Sequence, residues 1–436
     1  MTEAWIMPIF YSLAAVVIWQ GVMSLIGGKR FLAYVRREMK RASGDHAPFA
    51  SVIVPCRGLD HGLGDNLGAL FRQNYPRYEL IFVADDAHDE ALTVARESIR
   101  SFTTDGQALQ ARLAGRNRRA GAKRTRSPRP SSVRRARIII AGPAASCGQK
   151  VHNLLAAVKE ADPRSEVFVF VDTDARPHAN WLRALVAPLA DQATGATTGY
   201  RWFVPVRGNF ASELRAVWNA SVASALGANV RRNFCWGGSM AIRRATFARA
   251  KVAAHWQGAA SDDFAMTRAL HEAGLGIRFV PACLVPSYED CSWRELLEFT
   301  TRQMKITRVY APHLWRLALV GNLLFVTVFF GGGVFAAVRA VRGASFIAIL
   351  MANVVIFALG AAKAWLRLHA ARMAGVRFSR RSVWSHLLLW PLTSALFLAN
   401  AICAAWSRRL VWRGIEYELK SPAETVIINR SALNEG

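Results

Sequence analysis

An α/β domain built on a parallel sheet, held between apolar segments long enough to cross a bilayer, is the fold class this sequence predicts. Three observations predict it. Residues 5–27 carry no charge, and three further apolar blocks lie at 317–337, 344–362 and 384–406. Between these ends, strands that are apolar throughout alternate with amphipathic helices, the pattern of a sheet covered on both faces. The 436 residues carry a net charge of +26 although 52% of them are apolar. These two properties are compatible when the apolar blocks sit in lipid and the basic blocks beside it.

A spanning helix needs about 20 apolar residues, and the first block supplies them. Glu3 precedes it, and Lys29, Arg30, Arg36 and Arg37 follow it. A cleaved signal peptide would need a basic start and a small-residue cleavage site. Residues 1–28 therefore read as a signal anchor. The positive-inside rule puts the N-terminus outside and the basic linker 29–47 in the cytoplasm.

Residues 48–298 read as the soluble domain. ASVIVP (50–55) is a buried strand, followed by a glycine-containing loop and a helix over 63–73. YELIFVAD (78–85) is the second strand, with a helix over 90–101 after it. ARIIIAG (136–142) is the third, leading to a helix over 150–160. EVFVFVDTD (166–174) is the fourth and ends in acids. In such sheets ligands bind beyond the carboxyl ends of the strands, where Asp85, Asp172 and Asp174 fall.

Residues 112–137 interrupt the pattern with eleven Lys/Arg and no acid. They read as a disordered basic insertion lying near anionic headgroups of the membrane surface. The segment has no aromatic interleaving and no binding motif, so no nucleic acid is expected as a partner.

Beyond the domain, 299–315 reads as an amphipathic interfacial helix. Residues 316–406 read as a transmembrane region of two or three helices, and 407–436 as a tail. Pro391, with Trp384, Trp390 and Trp406 around it, makes the last block either a kinked span or an interfacial helix. The basic tail favours the cytoplasmic side, whereas four full spans would leave it outside. Three and four spans both stay open. The six cysteines form no CxxC pair and have no zinc-ligand spacing, so free thiols in a reducing compartment are expected.

The chemistry is expected at a few acids. Asp172 and Asp174 stand two residues apart at a strand end, where both carboxylates can reach one hard divalent cation, magnesium or manganese. On the pair alone, a surface turn is the other reading. Asp85 and Asp86 could accept hydrogen bonds from a base or ribose, or cap a turn. In FCWGGSMAIRR, Gly237 and Gly238 either let the backbone approach a ligand or form an ordinary loop. In SDDFAMTRAL, the acids at 262 and 263 either cap a helix or supply a general base.

Taken in order, SVIVPCRG, NLGALFRQNYPRYELIFVADD, GQKVHNL, VDTD, GGSMAIRR, SDDFAMTRAL and RQMKITRVYAP resemble the catalytic domain of family 2 glycosyltransferases. They resemble most the membrane-bound ceramide glucosyltransferase-like branch, family 21. The resemblance covers about residues 48–315. It implies a GT-A (Rossmann-like) glycosyltransferase domain plus transmembrane helices at both ends. It implies that Asp85 contacts uracil and that Lys150 lies near the nucleotide. Asp172 and Asp174 would be the DxD pair, with Asp174 the direct metal ligand. Asp263 would be the general base, with Asp262 beside it in place of the more usual Glu. Gly237, Gly238 and Ser239 would form the acceptor loop.

The family's (Q/R)xxRW motif departs here to Arg302-Gln303-Met304-Lys305-Ile306. Its Trp is lost and its Arg is a Lys, which cannot grip a phosphate bidentately. Arg302, Gln303, Lys305 and Arg308 are the residues left to face the donor. The implied activity is transfer of a hexose such as glucose from a UDP-sugar to a ceramide-like or other membrane lipid. It would run by metal-assisted inverting displacement at the cytoplasmic face of the inner membrane. A processive polysaccharide synthase is the alternative within the family, and it typically has more spans and an intact motif. A transporter or receptor would carry more intramembrane charge than Lys363 and the asparagines at 322, 353 and 400.

Overall fold

The structure is a computed structural model describing residues 2–41, 44–102 and 133–430. Its α/β domain is built on a seven-stranded sheet in the order β3-β2-β1-β4-β6-β5-β7. The strands are β1 (Ala50–Pro55), β2 (Tyr78–Ala84), β3 (Val133–Ile140), β4 (Val167–Val171), β5 (Thr194–Val204), β6 (Ser239–Arg243) and β7 (Gly276–Tyr288). The first four are the strands read from the sequence, paired in parallel. The sheet is mixed rather than wholly parallel, because β6 runs antiparallel to both β4 and β5.

Alternation explains why these strands are apolar throughout. Val52 and Val54 face one core with Leu80, Phe82, Val167 and Val169, under α2 (Leu63–Phe71) and the helix α3 over 90–102. Ile53 faces the other with Ile81, Val83, Phe168 and Phe170, under α4 (Gln149–Glu160) and α9 (Asp262–Glu272). Each such fully buried side chain contributes about 1.5–3 kcal/mol by leaving water, so both faces need the helices that cover them.

Val133 to Arg137, the end of the basic segment, belong to β3. Residues 112–132 of the expected insertion lie outside the described residues. The six cysteines are free thiols, and five of them are buried.

Among the described residues, three helices are long and apolar enough to cross a membrane: Met7–Lys40 within α1 (Thr2–Lys40), Pro312–Val341, and α13 (Ile347–Met373). The last apolar block is a pair, α14 (Arg380–Leu388) and α15 (Trp390–Trp406), bent by 61°. Pro391 stands in the first turn of α15, where its missing N–H costs no helical hydrogen bond, and so marks the break. α1 packs closely on α13 at Gly21, where an added Cβ would meet Leu359 Cδ1 at 3.0 Å. Its C-terminal end docks on the sheet, with Tyr34 Oη donating to the Phe279 carbonyl at 2.6 Å and Glu38 pairing with Arg278 at 2.8 Å.

The amphipathic helix before the spans is α10 (Trp293–Tyr310), closed by a capping box at Ser292 and Glu295. The segment read as a tail folds. It makes a three-stranded antiparallel sheet of β8 (Arg409–Trp412), β9 (Ile415–Ser421) and β10 (Glu424–Arg430). Leu410, Ile415, Tyr417 and Leu419 of this sheet form a small core with Ala260 of the α/β domain and Ile306 of α10.

Candidate active site

A cavity of about 1760 Å3 opens over the carboxyl ends of β1 and β4. β4 ends at Val171, which places Asp172 and Asp174 on its rim. Gly148 opens α4, so Lys150 in its first turn reaches the same point. Lys150 Nζ lies 2.8 Å from Asp172 Oδ1 and 3.2 Å from Asp262 Oδ1. From β5, Arg201 reaches Asp174 Oδ2 at 2.8 Å and Asp172 Oδ2 at 3.7 Å. Its guanidinium also lies against the rings of Phe203 and Trp236, 5.1 and 5.4 Å from their centroids, so its position is fixed.

The acids divide by environment. Burial pushes Asp172 up, but Lys150 and Arg201 outweigh it and hold the carboxyl below its usual range. Burial, opposed by Arg201 and reinforced by Asp172, Asp60 and Glu289, pushes Asp174 up to about 7. Asp262 is also pushed up to about 7, first by burial and then by Asp263 and Asp172 against the pull of Lys150. The two neighbours of Lys150 differ because Asp172 has Arg201 as well as the closer ammonium, whereas Asp262 has the carboxylate of Asp263 beside it.

Asp263 occupies the first turn of α9, where the positive end of the helix favours a negative charge. Its Oδ1 accepts from the Phe264 backbone N–H at 2.8 Å and from the Ser261 hydroxyl. Its Oδ2 faces the Gly237 N–H at 3.5 Å and the cavity. A carboxylate held by one oxygen with the other turned to a cavity can take a proton from a bound hydroxyl.

Asp172 and Asp174 offer hard oxygens, and Asp174 Oδ1 is buried without a hydrogen-bond partner. Among the described residues no cluster of three metal-ligating side chains surrounds this point. Two carboxylates fit a magnesium or manganese ion that draws its other ligands from phosphate and water.

The sequence profile of glycosyl transferase family 21 matches residues 9–122 and 132–424. The chain belongs to glycosyl transferase family 21. Similar solved structures include a mannosyltransferase of Pyrobaculum calidifontis in complex with GDP-Man and Mn2+. It is 17% identical over 91% of this chain and 99% of that one, with a TM-score of 0.46. Another is glucosyl-3-phosphoglycerate synthase of Mycobacterium tuberculosis in complex with Mn2+ and UDP-glucose. It is 14% identical over 64% of this chain and 82% of that one, with a TM-score of 0.35.

In this glycosyltransferase, Lys150, Asp172, Asp174, Gly237, Asp262, Asp263, Arg302 and Gln303 all line the cavity. Other expected site residues lie elsewhere. Asp85 stands behind the rim, paired with Arg57, and it is Arg57 that lines the cavity. Gly238 packs under Trp236, where a Cβ would meet Cζ2 at 2.2 Å. Ser239 is fully buried in β6 and accepts from Trp181 Nε1 at 2.8 Å. Lys305 Nζ donates to the Arg409 carbonyl, and Arg308 donates to the Ala404 carbonyl while lying over Trp315. Both side chains tie the transferase to its C-terminal segment.

Sequence reasoning passed over Asp60, Arg201, Trp412, Arg413 and Tyr417, which all line the cavity. Arg201 had a signal: it is the one charge inside a buried strand, TGATTGYRWFV. Residues 412 to 417 had none, because they reach the cavity through the fold of the C-terminal sheet.

Proposed function

We propose that this transferase moves a hexose from a UDP-sugar to a hydroxyl of a membrane lipid at the cytoplasmic face, by inverting single displacement. One observation carries the reading: two parts of the cavity lining differ in chemistry. Lys150, Asp172, Arg201 and Asp263 give one part of its lining, and Trp218, Phe299, Leu314, Ala318 and Phe397 another, where the Trp218 ring lies 4.5 Å from that of Phe397 and 6.0 Å from that of Phe299. The second group comes from α6 (Phe210–Ala223), the amphipathic α10, and the apolar α11 (Pro312–Val326) and α15. A lipid can slide its tail along that part while its headgroup hydroxyl enters the polar one. Moving a whole acyl chain through water would cost far more.

On this reading Asp263 removes the acceptor proton as the oxygen attacks the anomeric carbon. Asp172 and Asp174 would hold a divalent cation, which when bound would supply Lewis-acid stabilisation to the leaving diphosphate. Lys150 and Arg201 keep the acids in place and add positive charge beside the donor. Asp262 stays close to Lys150 and steadies it.

The fold of the C-terminal sheet bears on topology. It packs against the catalytic domain, which supports an even number of crossings between the two. Pro312–Val341 and α13 provide two, and the bent pair α14–α15 then returns without crossing. With α1, three crossings result, the N-terminus outside and the C-terminus with the catalytic domain in the cytoplasm.

The test is a panel of labelled nucleotide sugars incubated with the full-length enzyme, Mn2+ and a total lipid extract, with mass spectrometry of the products. A β-hexosyl lipid formed from a UDP-sugar and suppressed by EDTA is expected. A labelled soluble product with no labelled lipid would contradict the acceptor class.

A further inference from the structure

The C-terminal sheet does more than cover the domain. β8 and β9 are joined by Arg413 and Gly414, with Trp412 paired to Ile415. Both turn residues lie in the left-handed region, Arg413 at φ 50 and Gly414 at φ 74. Two-residue turns of this kind favour Asn or Asp before Gly. An arginine at the first position is not what the turn itself selects.

The tip is held in place. Arg57 Nε donates to the Arg413 carbonyl at 2.9 Å, and Arg57 is itself paired with Asp85. Tyr417 Oη accepts from the Gln149 N–H at 3.2 Å, next to Lys150. Gly258 (φ +75) leaves room for Ala423, whose carbonyl oxygen would lie 1.9 Å from a Cβ there. So fixed, the Arg413 side chain enters the cavity and pairs with Asp60.

Arg302 reaches the same cavity from α10, with its guanidinium 5.4 Å from the centroid of the Trp412 ring. Among the described residues it has no carboxylate within ion-pair distance. Burial, and then the proximity of Arg413 and Arg201, holds it down to about 10. Three guanidiniums therefore converge where the acids pair with only two of them, Asp174 with Arg201 and Asp60 with Arg413. Like charges packed this closely call for an anion between them.

We propose that Arg413, carried on the turn of the C-terminal sheet, binds the diphosphate of the nucleotide-sugar donor together with Arg302. Trp412 positions Arg302 by stacking. The inference rests on the nucleotide-sugar reading above. It makes the C-terminal sheet part of the donor site and gives the donor a planar fork that Lys305 cannot supply.

The test measures binding of UDP and UMP, each with Mg2+, to the detergent-solubilised full-length enzyme by titration calorimetry. Arg413→Ala is expected to weaken UDP binding about tenfold or more, the worth of a charge-assisted contact. UMP binding should change much less. The donor KM should rise while the acceptor KM moves little. Arg413→Lys should recover part of the UDP affinity, and it serves in place of the alanine variant if that variant does not fold. Lys420→Ala, an exposed change on the same sheet, should bind UDP like the wild type. Wild-type UDP affinity in both Arg413 variants would overturn the inference and leave the transferase reading intact. Equal weakening of UDP and UMP would overturn the diphosphate contact. A wild-type enzyme that binds neither nucleotide would overturn the nucleotide-sugar reading itself.

Discussion

Gly237 and Asp262 are in direct apposition: a Cβ added to Gly237 would fall 2.3 Å from Asp262 Oδ2. The same Cβ would lie 2.8 Å from Lys150 Nζ. Only a glycine leaves the Asp262–Lys150–Asp172 chain its present geometry. Its φ is unremarkable, so the requirement is one of space.

Gly237→Ala is therefore expected to move Lys150 and Asp262 rather than unfold the domain. Displacing a catalytic group by about 1 Å can cost on the order of a hundredfold in rate. A loss of that order in kcat, with a melting temperature close to the wild type, is the expected result. Steady-state kinetics and a thermal melt check it.

Asp262 sets a pH dependence of stability. Its folded-state carboxyl is raised to about 7 by burial against an ordinary value of 3.8. Between those values the folded state holds a proton that the unfolded state has released, so stability falls as pH rises through that window. Asp262→Asn removes this dependence. The variant should gain on the wild type by a few degrees in melting temperature between pH 5 and pH 8. A constant gap across that range would contradict the assignment.

The membrane arrangement predicts the fate of fused reporters. A fluorescent reporter after Gly436 should lie in the cytoplasm with the catalytic domain, while a tag before Met1 should be accessible from outside. Protease protection in oriented vesicles reads both. A C-terminal reporter on the outer side would mean that α14–α15 crosses, and would contradict the proposed three-crossing arrangement.

Legibility in the sequence followed the physics of each element. β1, β2 and β4 were readable because they are buried on both faces and so contain almost no polar residue. β5 was not, since Thr194 to Gly199 are small and weakly apolar. β7 carries Pro281 and Pro286, which an edge strand tolerates but which read as breaks. β6 begins at Ser239, hidden by the two glycines before it.

The acids Asp172, Asp174, Asp262 and Asp263 were legible because each lies next to a strand end or helix start. Arg201 left only a charge inside a strand as its signal and Arg413 left none, because strand order and the docking of a distant segment bring them in. Lys305 and Arg308 read as donor ligands by position in a motif, yet the helical turn of α10 aims them at the C-terminal segment.

Glycosyl transfer to a lipid with Asp263 as the base is the central claim, and one measurement tests it most directly. Transfer from labelled UDP-hexose to extracted membrane lipid is followed with wild-type enzyme and with Asp263→Asn, alongside UDP binding to both. The account predicts a labelled β-glycolipid from the wild type. For the variant it predicts a loss of kcat on the order of a hundredfold or more, as expected for removal of a general base, with UDP binding retained. Wild-type turnover by Asp263→Asn would contradict it.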